Sequence, residues 1–366
     1  GSADERDEID SKLLFSRVLA RSGKPEEALE TLNSLPTSHL SPLQHAELLW
    51  RQAYCFTELR RPEDARAAAL EAIPLAEKAN DQELVERLRL ELGNAFTLMR
   101  KDQLALDAYK GCFDAIERDV ITDPVFRFVV LYSIGRQYGA LGDFQSAIEY
   151  LNRAADVGAA DINPARLGVL FGALCDSYLA ARDYRRAKLA AHRSMTYFEA
   201  ADNQRMVGEV HNRLGRAFAQ SGQLDEATRH LEDAHQIAER EQDVRGLAEA
   251  ERGLAAVYVQ QDRIEDAAAA AEHALELSSA LNEAVEHAES LLMQAYVDEA
   301  KQNFTGAEEN FKRATELLDN TDATQARSDA YARYSEFLER RGDGERALKL
   351  LRKAWQLSGR SATFSR

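Results

Sequence analysis

Small residues recur along this chain at fixed intervals, and the pattern predicts the secondary structure. A D/E/S-x-A or x-x-A step follows a short polar turn at Ala28, Ala65, Ala105, Ala147, Ala187, Ala227, Ala267, Ala307 and Ala347. The spacings are 37, 40 and 42 residues and thereafter 40. Twelve positions before each anchor stands another small residue: Ser16, Ala53, Gly93, Gly135, Cys175, Gly215, Ala255, Ala295 and Ser335. Nine positions before it, most periods carry a large apolar residue: Leu19, Phe56, Phe96, Tyr138, Tyr178, Phe218, Tyr258 and Leu338. The eighth period departs, with Asp298 there. Seven positions after the anchor the residue is again small, from Ala72 and Cys112 to Ala314 and Ala354. Such self-similarity is the signature of a repeat array. Each period reads as two helices: small residues let them approach, the large residue fills the space between them, and the later small residue admits the next pair.

The turns agree with this register. LGDFQSA (141–147), SGQLDEA (221–227), RPEDA (61–65) and SGKPEEA (22–28) place Gly or Pro beside an acidic helix start. Pro25 and Pro62 stand where a first-turn proline is tolerated, and acidic first turns suit the helix dipole. TDPVFRF and DINPARL open later helices with an Asp or Asn cap followed by Pro. No connection longer than a few residues is expected between 9 and 358. The organisation expected is a tag remnant and acidic lead-in over 1–8, with Gly1-Ser2 as the remnant, one array over 9–358 and a tail over 359–366. The chain would then be a piece cut from a longer protein.

Composition supports an array over two or three globular domains. With 7 Pro and 19 Gly in 366 residues, helix breakers are sparse, and few segments combine β-branched residues with strict alternation. The formal net charge of −16, without a basic run, argues against direct nucleic-acid binding. No apolar run approaches the roughly 18 residues of a membrane helix, and no signal peptide is visible, so a cytoplasmic location is expected. Cys55, Cys112 and Cys175 are far apart and form no C-x-x-C pair; Cys112 and Cys175 fall in small-residue columns and read as core filler.

LGNAFTLMRKDQLALDAYKGC, LYSIGRQYGALGDFQSAIEYLNRA and NRLGRAFAQSGQLDEATRHLEDA resemble the tetratricopeptide repeat, W-x2-L-G-x2-Y…A-x3-F…P. The resemblance implies an all-α, right-handed superhelical solenoid of about nine repeats with a period near 40. The closing stretch YARYSEFLERRGDGERALKLLRKAWQLSGR resembles the end of bacterial helix-turn-helix regulators whose repeat array senses a signalling peptide and often dimerises. That similarity implies a sensor half. Alternatives are an adaptor or scaffold, or the accessory array of a larger signalling enzyme or protease.

No phosphate-binding loop, dinucleotide fingerprint or H-E-x-x-H motif occurs, and no nucleophile pairs with a base. The eight histidines read as scattered, with His230 and His235 at the wrong spacing for one helix face. No catalytic residue, metal site or cofactor is therefore expected. Solenoids bind partners along an extended concave surface, which in this repeat class is lined by the first helix of each unit. Two columns four apart should face it: one runs Arg17, Tyr54, Asn94, Arg136, Asp176, Arg216, Ala256, Tyr296, Glu336, the other Leu13, Trp50, Leu90, Tyr132, Gly172, Asn212, Arg252, Leu292, Ala332. Their middle is polar and does not repeat: Asn94, Tyr132, Arg136, Asp176, Asn212, Arg216 and Arg252. Packing demands the same residue type in every period and recognition does not, so these seven form the expected ligand-binding site. The arginines suit a carboxylate and the asparagines an extended backbone. A peptide or extended protein segment with an acidic group is the expected partner. The last helix, with Leu348, Leu351 and Trp355, is only partly capped by Arg352, Lys353 and Arg360, which admits a homodimer through the C-terminal repeats.

Overall fold

A computed structural model of the chain describes residues 3–37, 40–157, 162–321 and 323–357. Among these residues there are eighteen α-helices and no strands. They fall into two compact units, 1–181 and 182–366. The first unit contains α1 (Ala3–Arg21), α2 (Pro25–Asn33), α3 (Pro42–Glu58), α4 (Pro62–Lys78), α5 (Gln82–Leu98), α6 (Asp102–Glu117), α7 (Pro124–Ala140), α8 (Phe144–Ala155) and α9 (Pro164–Ala180). The second contains α10 (Tyr184–Ala200), α11 (Gln204–Gln220), α12 (Leu224–Arg240), α13 (Val244–Gln260), α14 (Ile264–Ala280), α15 (Ala284–Ala300), α16 (Phe304–Asp319), α17 (Thr324–Arg340) and α18 (Gly344–Leu357). Within each unit, consecutive helices pack as antiparallel hairpins, and alternate helices also touch, α3 with α5 and α11 with α13 and α13 with α15. Helix α1 starts ahead of the acidic lead-in's expected end. Connections are longer than expected at 34–41 and 156–163, part of each lying outside the described residues.

The anchors explain why the hairpins close. All nine anchor alanines are buried, eight of them completely, and so are all the small residues twelve positions earlier. At Gly93 a methyl group would fall 2.5 Å from the Tyr109 ring, and at Gly215 the same distance from Leu231 Cγ. Real Cβ atoms do not approach so closely, so these columns are small because the second helix lies directly against them. All three cysteines are buried. Burial pushes the Cys55 thiol up to about 11 and raises that of Cys112 as well, consistent with inert core filler.

The turns use one hydrogen-bond device. The carbonyl of the residue nine before the anchor accepts from the N–H five residues on: Phe56 from Arg61 at 2.8 Å, Phe96 from Lys101 at 2.9 Å, Phe218 from Gln223 at 2.9 Å and Tyr258 from Arg263 at 2.8 Å. This is the Schellman closure of a helix end, which needs a left-handed residue just before the donor. Gly142 and Gly222 fill that place with φ +80 and +78, whereas Arg60, Arg100, Asp262 and Gln302 adopt it with side chains. Asp298 keeps the same backbone bond but replaces the large apolar side chain with a buried carboxylate. It accepts from Asn303 Nδ2 at 3.1 Å and Asn310 Nδ2 at 2.9 Å. The eighth period thus satisfies by hydrogen bonding the space its neighbours fill by packing.

Candidate functional site

The seven expected ligand-contacting residues divide between the two units. In the first unit, Asn94 lies on α5, Tyr132 and Arg136 on α7, and Asp176 on α9. Asn94 is half-buried and already engaged: its Oδ1 accepts from Tyr109 Oη at 2.9 Å and its Nδ2 donates to Glu91 Oε2 at 3.1 Å. Tyr109 Oη also meets Thr97 Oγ1 at 3.0 Å, which donates to Gln137 Oε1 at 3.2 Å, and Gln137 Nε2 donates to Asp102 Oδ1 at 2.7 Å. Burial pushes the Glu91 carboxyl up to about 7, against the lowering effect of the Asn94 hydrogen bond. Burial also raises the Tyr109 hydroxyl. Asn94 is thus the rim of a polar network between α5 and α6.

Arg136 and Asp176 are exposed and share a depression of about 190 Å³ with Gly139, Phe144 and Ala173. The Arg136 guanidinium lies 5.9 Å from the Tyr132 ring centroid, and its Nη1 is 3.5 Å from Tyr132 Oη. Tyr132 in turn stacks on Phe128, with centroids 6.2 Å apart and planes at 2°. An aromatic stack under an arginine fixes a planar donor fork.

In the second unit Asn212, Arg216 and Arg252 do meet. They line one concavity of about 570 Å³ along α11, α13 and α15, together with Glu249, Glu286 and Arg333. Its charges are paired to different degrees. Arg252 Nη2 reaches Glu286 Oε2 at 2.9 Å, Arg333 Nη1 lies 3.6 Å from Glu289 Oε2, and Arg216 Nη2 lies 3.9 Å from Glu249 Oε1. The expected basic spot is therefore a mixed one, with a carboxylate beside each arginine. Asn212 is 2% exposed. Its Nδ2 donates to the Gly246 carbonyl oxygen at 3.4 Å, while its buried Oδ1 accepts no hydrogen bond among the described residues.

The column running from Leu13 to Ala332 is covered in part, although Asn212 and Arg252 still border the concavity. Leu13, Leu90, Asn212 and Leu292 are buried, because alternate helices pack directly on one another and cover that face. The open face continues instead through the other column and onto Gln220 and Gln260, one turn after Arg216 and Ala256, and onto Glu249 and Glu289. Gln220 and Gln260 stand four after the Arg216 column, and Glu249 and Glu289 three before the Arg252 column, and these flanking positions carry that signal in the sequence.

Four of the eight histidines gather into two clusters. His211 Nδ1 lies 3.2 Å from His230 Nδ1 and 3.4 Å from Asp233 Oδ2. Burial, and next the neighbouring His211, hold the His230 ring down to about 4. His235 and His273 converge on Glu251. These clusters draw on two and three different helices, so no spacing within one helix reveals them.

A profile of the tetratricopeptide repeat matches residues 206–280, spanning α11 to α14, and another matches 129–157. The chain carries tetratricopeptide repeats. No curated protein matches the sequence. Among solved structures, the repeats resemble the apo form of RapI with a TM-score of 0.73 at 13% identity, covering 95% of this chain and 97% of that one. A Rap protein complexed with Competence and Sporulation Factor gives 0.68 at 13% identity, covering 96% and 97%. NprR in complex with its cognate peptide NprX gives 0.60 at 11% identity, covering 83% and 87%. At such identities the likeness is one of fold. Among the described residues, no helix of this repeat protein is long and apolar enough to cross a membrane.

Proposed function

We propose that this chain is a non-catalytic peptide-binding repeat array, the ligand-sensing part of a bacterial transcriptional regulator. The observation that carries the reading is Asn212. A buried acceptor without a donor costs about 1–3 kcal/mol, and here it stands in the wall of a concavity flanked by Arg216 and Arg252. A peptide N–H that reaches it recovers that cost, and a carboxylate on the same peptide meets Arg216, which lines the same concavity. The likeness in fold to NprR bound to its cognate peptide and to a Rap protein bound to its factor supports the same class of ligand. Asn94, Tyr132, Arg136 and Asp176 would serve the first unit in the same way.

The response would follow from where the ligand sits. A peptide touching α11, α13 and α15 favours one rotation between neighbouring hairpins, and it shifts the balance only as far as it prefers that rotation. Titration calorimetry with hexapeptides, free and amidated at the C-terminus, tests the site. Binding should weaken at least tenfold in Asn212→Ala and Arg216→Ala, and amidation should remove the Arg216 effect. Undiminished affinity in the double variant would rule the site out.

A further inference from the structure

His235 on α12, Glu251 on α13 and His273 on α14 bring their donor atoms together at the edge of a cavity of about 440 Å³, separate in its lining from the concavity of Arg216. Glu251 Oε1 lies 3.1 Å from His235 Nε2 and 2.8 Å from His273 Nδ1. The three ligand atoms all lie within 4.8 Å of one another. We propose that this cluster is a binding site for a divalent transition-metal ion of the zinc class, held by two imidazoles and one carboxylate.

Three features of the cluster point to a cation. The first is charge. Glu251 is 7% exposed, and a buried carboxylate needs a compensating positive group. Its hydrogen bonds run to imidazoles, which are lone-pair donors when neutral. A divalent ion satisfies the carboxylate and both lone pairs at once, with no proton required. The second is geometry. A tetrahedral ion with bonds of roughly 2.0–2.1 Å sets its ligand atoms about 3.3 Å apart, close to the two separations measured from Glu251, and the two imidazole nitrogens already lie within 4.8 Å of each other, so closure on an ion is a matter of drawing the two rings together. The third is the orientation of the His235 ring. With Nε2 toward Glu251, its Nδ1 faces Glu239 Oε2 across 3.7 Å, longer than a hydrogen bond but on the side from which a carboxylate orients a metal-bound imidazole.

The donor set selects the ion. Two imidazoles with one carboxylate suit zinc and its neighbours and disfavour calcium and magnesium, which take oxygen ligands. Three protein ligands leave a fourth position, and the adjoining cavity, lined by Glu232, Gln236 and Tyr258, gives water or a small anion access to it. The exposed edge of His273, whose side chain is 44% accessible, is the entry side. On α13, Glu251 and Arg252 are consecutive and border different cavities: the first belongs to the metal cluster, the second to the concavity.

The test uses the full chain, dialysed against EDTA and then freed of chelator. Zn²⁺ is titrated calorimetrically, bound metal is measured after gel filtration, and Co²⁺ is added in parallel to read its visible absorption. Wild type should take up one ion per chain at this site, with the intense Co²⁺ band of a four-coordinate centre. His273→Ala and Glu251→Gln should each weaken it at least tenfold, and His235→Ala/His273→Ala should abolish it, while His211→Ala/His230→Ala leaves it intact. Circular dichroism confirms that the variants are folded, and His273→Ala, at an exposed position, supplies the folded comparison should the double variant fail. Uptake that survives His273→Ala and Glu251→Gln unchanged, or a wild type that takes up no more metal than these variants, overturns the proposal.

Discussion

Glu91 and Asn94 show how much a single residue's surroundings change its role. Asn94 reads in the sequence as a groove-facing amide, and the structure binds both ends of that amide to Tyr109 and Glu91. Glu91 is buried, and its carboxyl is raised from 4.5 to about 7. The unfolded chain therefore releases this proton first as pH rises, and the folded chain holds it until about pH 7. The contribution of Glu91 to stability is thus greatest below about pH 4.5 and is lost as pH rises to 7, at up to about 1.4 kcal/mol per pH unit. Glu91→Gln keeps an acceptor for Asn94 and removes the titration. Urea denaturation across this window should show a flatter profile for the variant than for wild type.

At the scale of the helix, the close approaches rank packing above propensity. Gly215 lies in mid-α11, where Ala would favour the helix by about 1 kcal/mol. A Cβ there lands 2.5 Å from Leu231 Cγ, and overpacking costs about 1–3 kcal/mol. Gly215→Ala should therefore lower the thermal midpoint, whereas an alanine at a helix position facing solvent would raise it. A calorimetric scan that shows a higher midpoint for Gly215→Ala would mean that α11 and α12 can separate more freely than this contact implies. The same logic made the helical hairpins legible in the sequence. The anchor, the small column and the seven-later column each sit in one repeated contact, so each repeats its residue type. The burial of Asn212 is not legible in the same way, because its cover comes from α13, one whole repeat away, and the period within α11 carries no mark of that neighbour.

For the molecule as a whole, surface chemistry follows a period of about 40 as well. In the second unit Arg205 reaches Asp243 at 2.9 Å, Arg245 reaches Glu283 at 2.6 Å, Arg340 reaches Glu299 at 2.8 Å and Arg346 reaches Glu308 at 2.5 Å. These pairs join adjacent repeats, and the two that are exposed on both sides, Arg245 with Glu283 and Arg346 with Glu308, contribute about 0–1 kcal/mol each. They align repeats more than they stabilise them. On α18, Leu348 is 50% and Trp355 40% exposed, while Arg360, expected to help cap this end, lies outside the described residues. The homodimer expected from the sequence predicts a concentration-dependent association in light scattering that Leu348→Glu on α18 converts to monomer. A wild type that stays monomeric at every concentration removes that surface from consideration.

The sequence by itself determined the helical repeat, its period, the hairpin turns and the residues that must be small, because each is imposed by a contact that recurs every forty residues and so leaves a repeated residue. It also named the polar residues of α11 and α13 that share one concavity. Only the tertiary structure decided that Asn212 is buried beneath α13, that each groove arginine has a carboxylate beside it, and that His235, Glu251 and His273 converge. Those arrangements are set by the rotation of one hairpin against the next, and no pattern within a single helix encodes it.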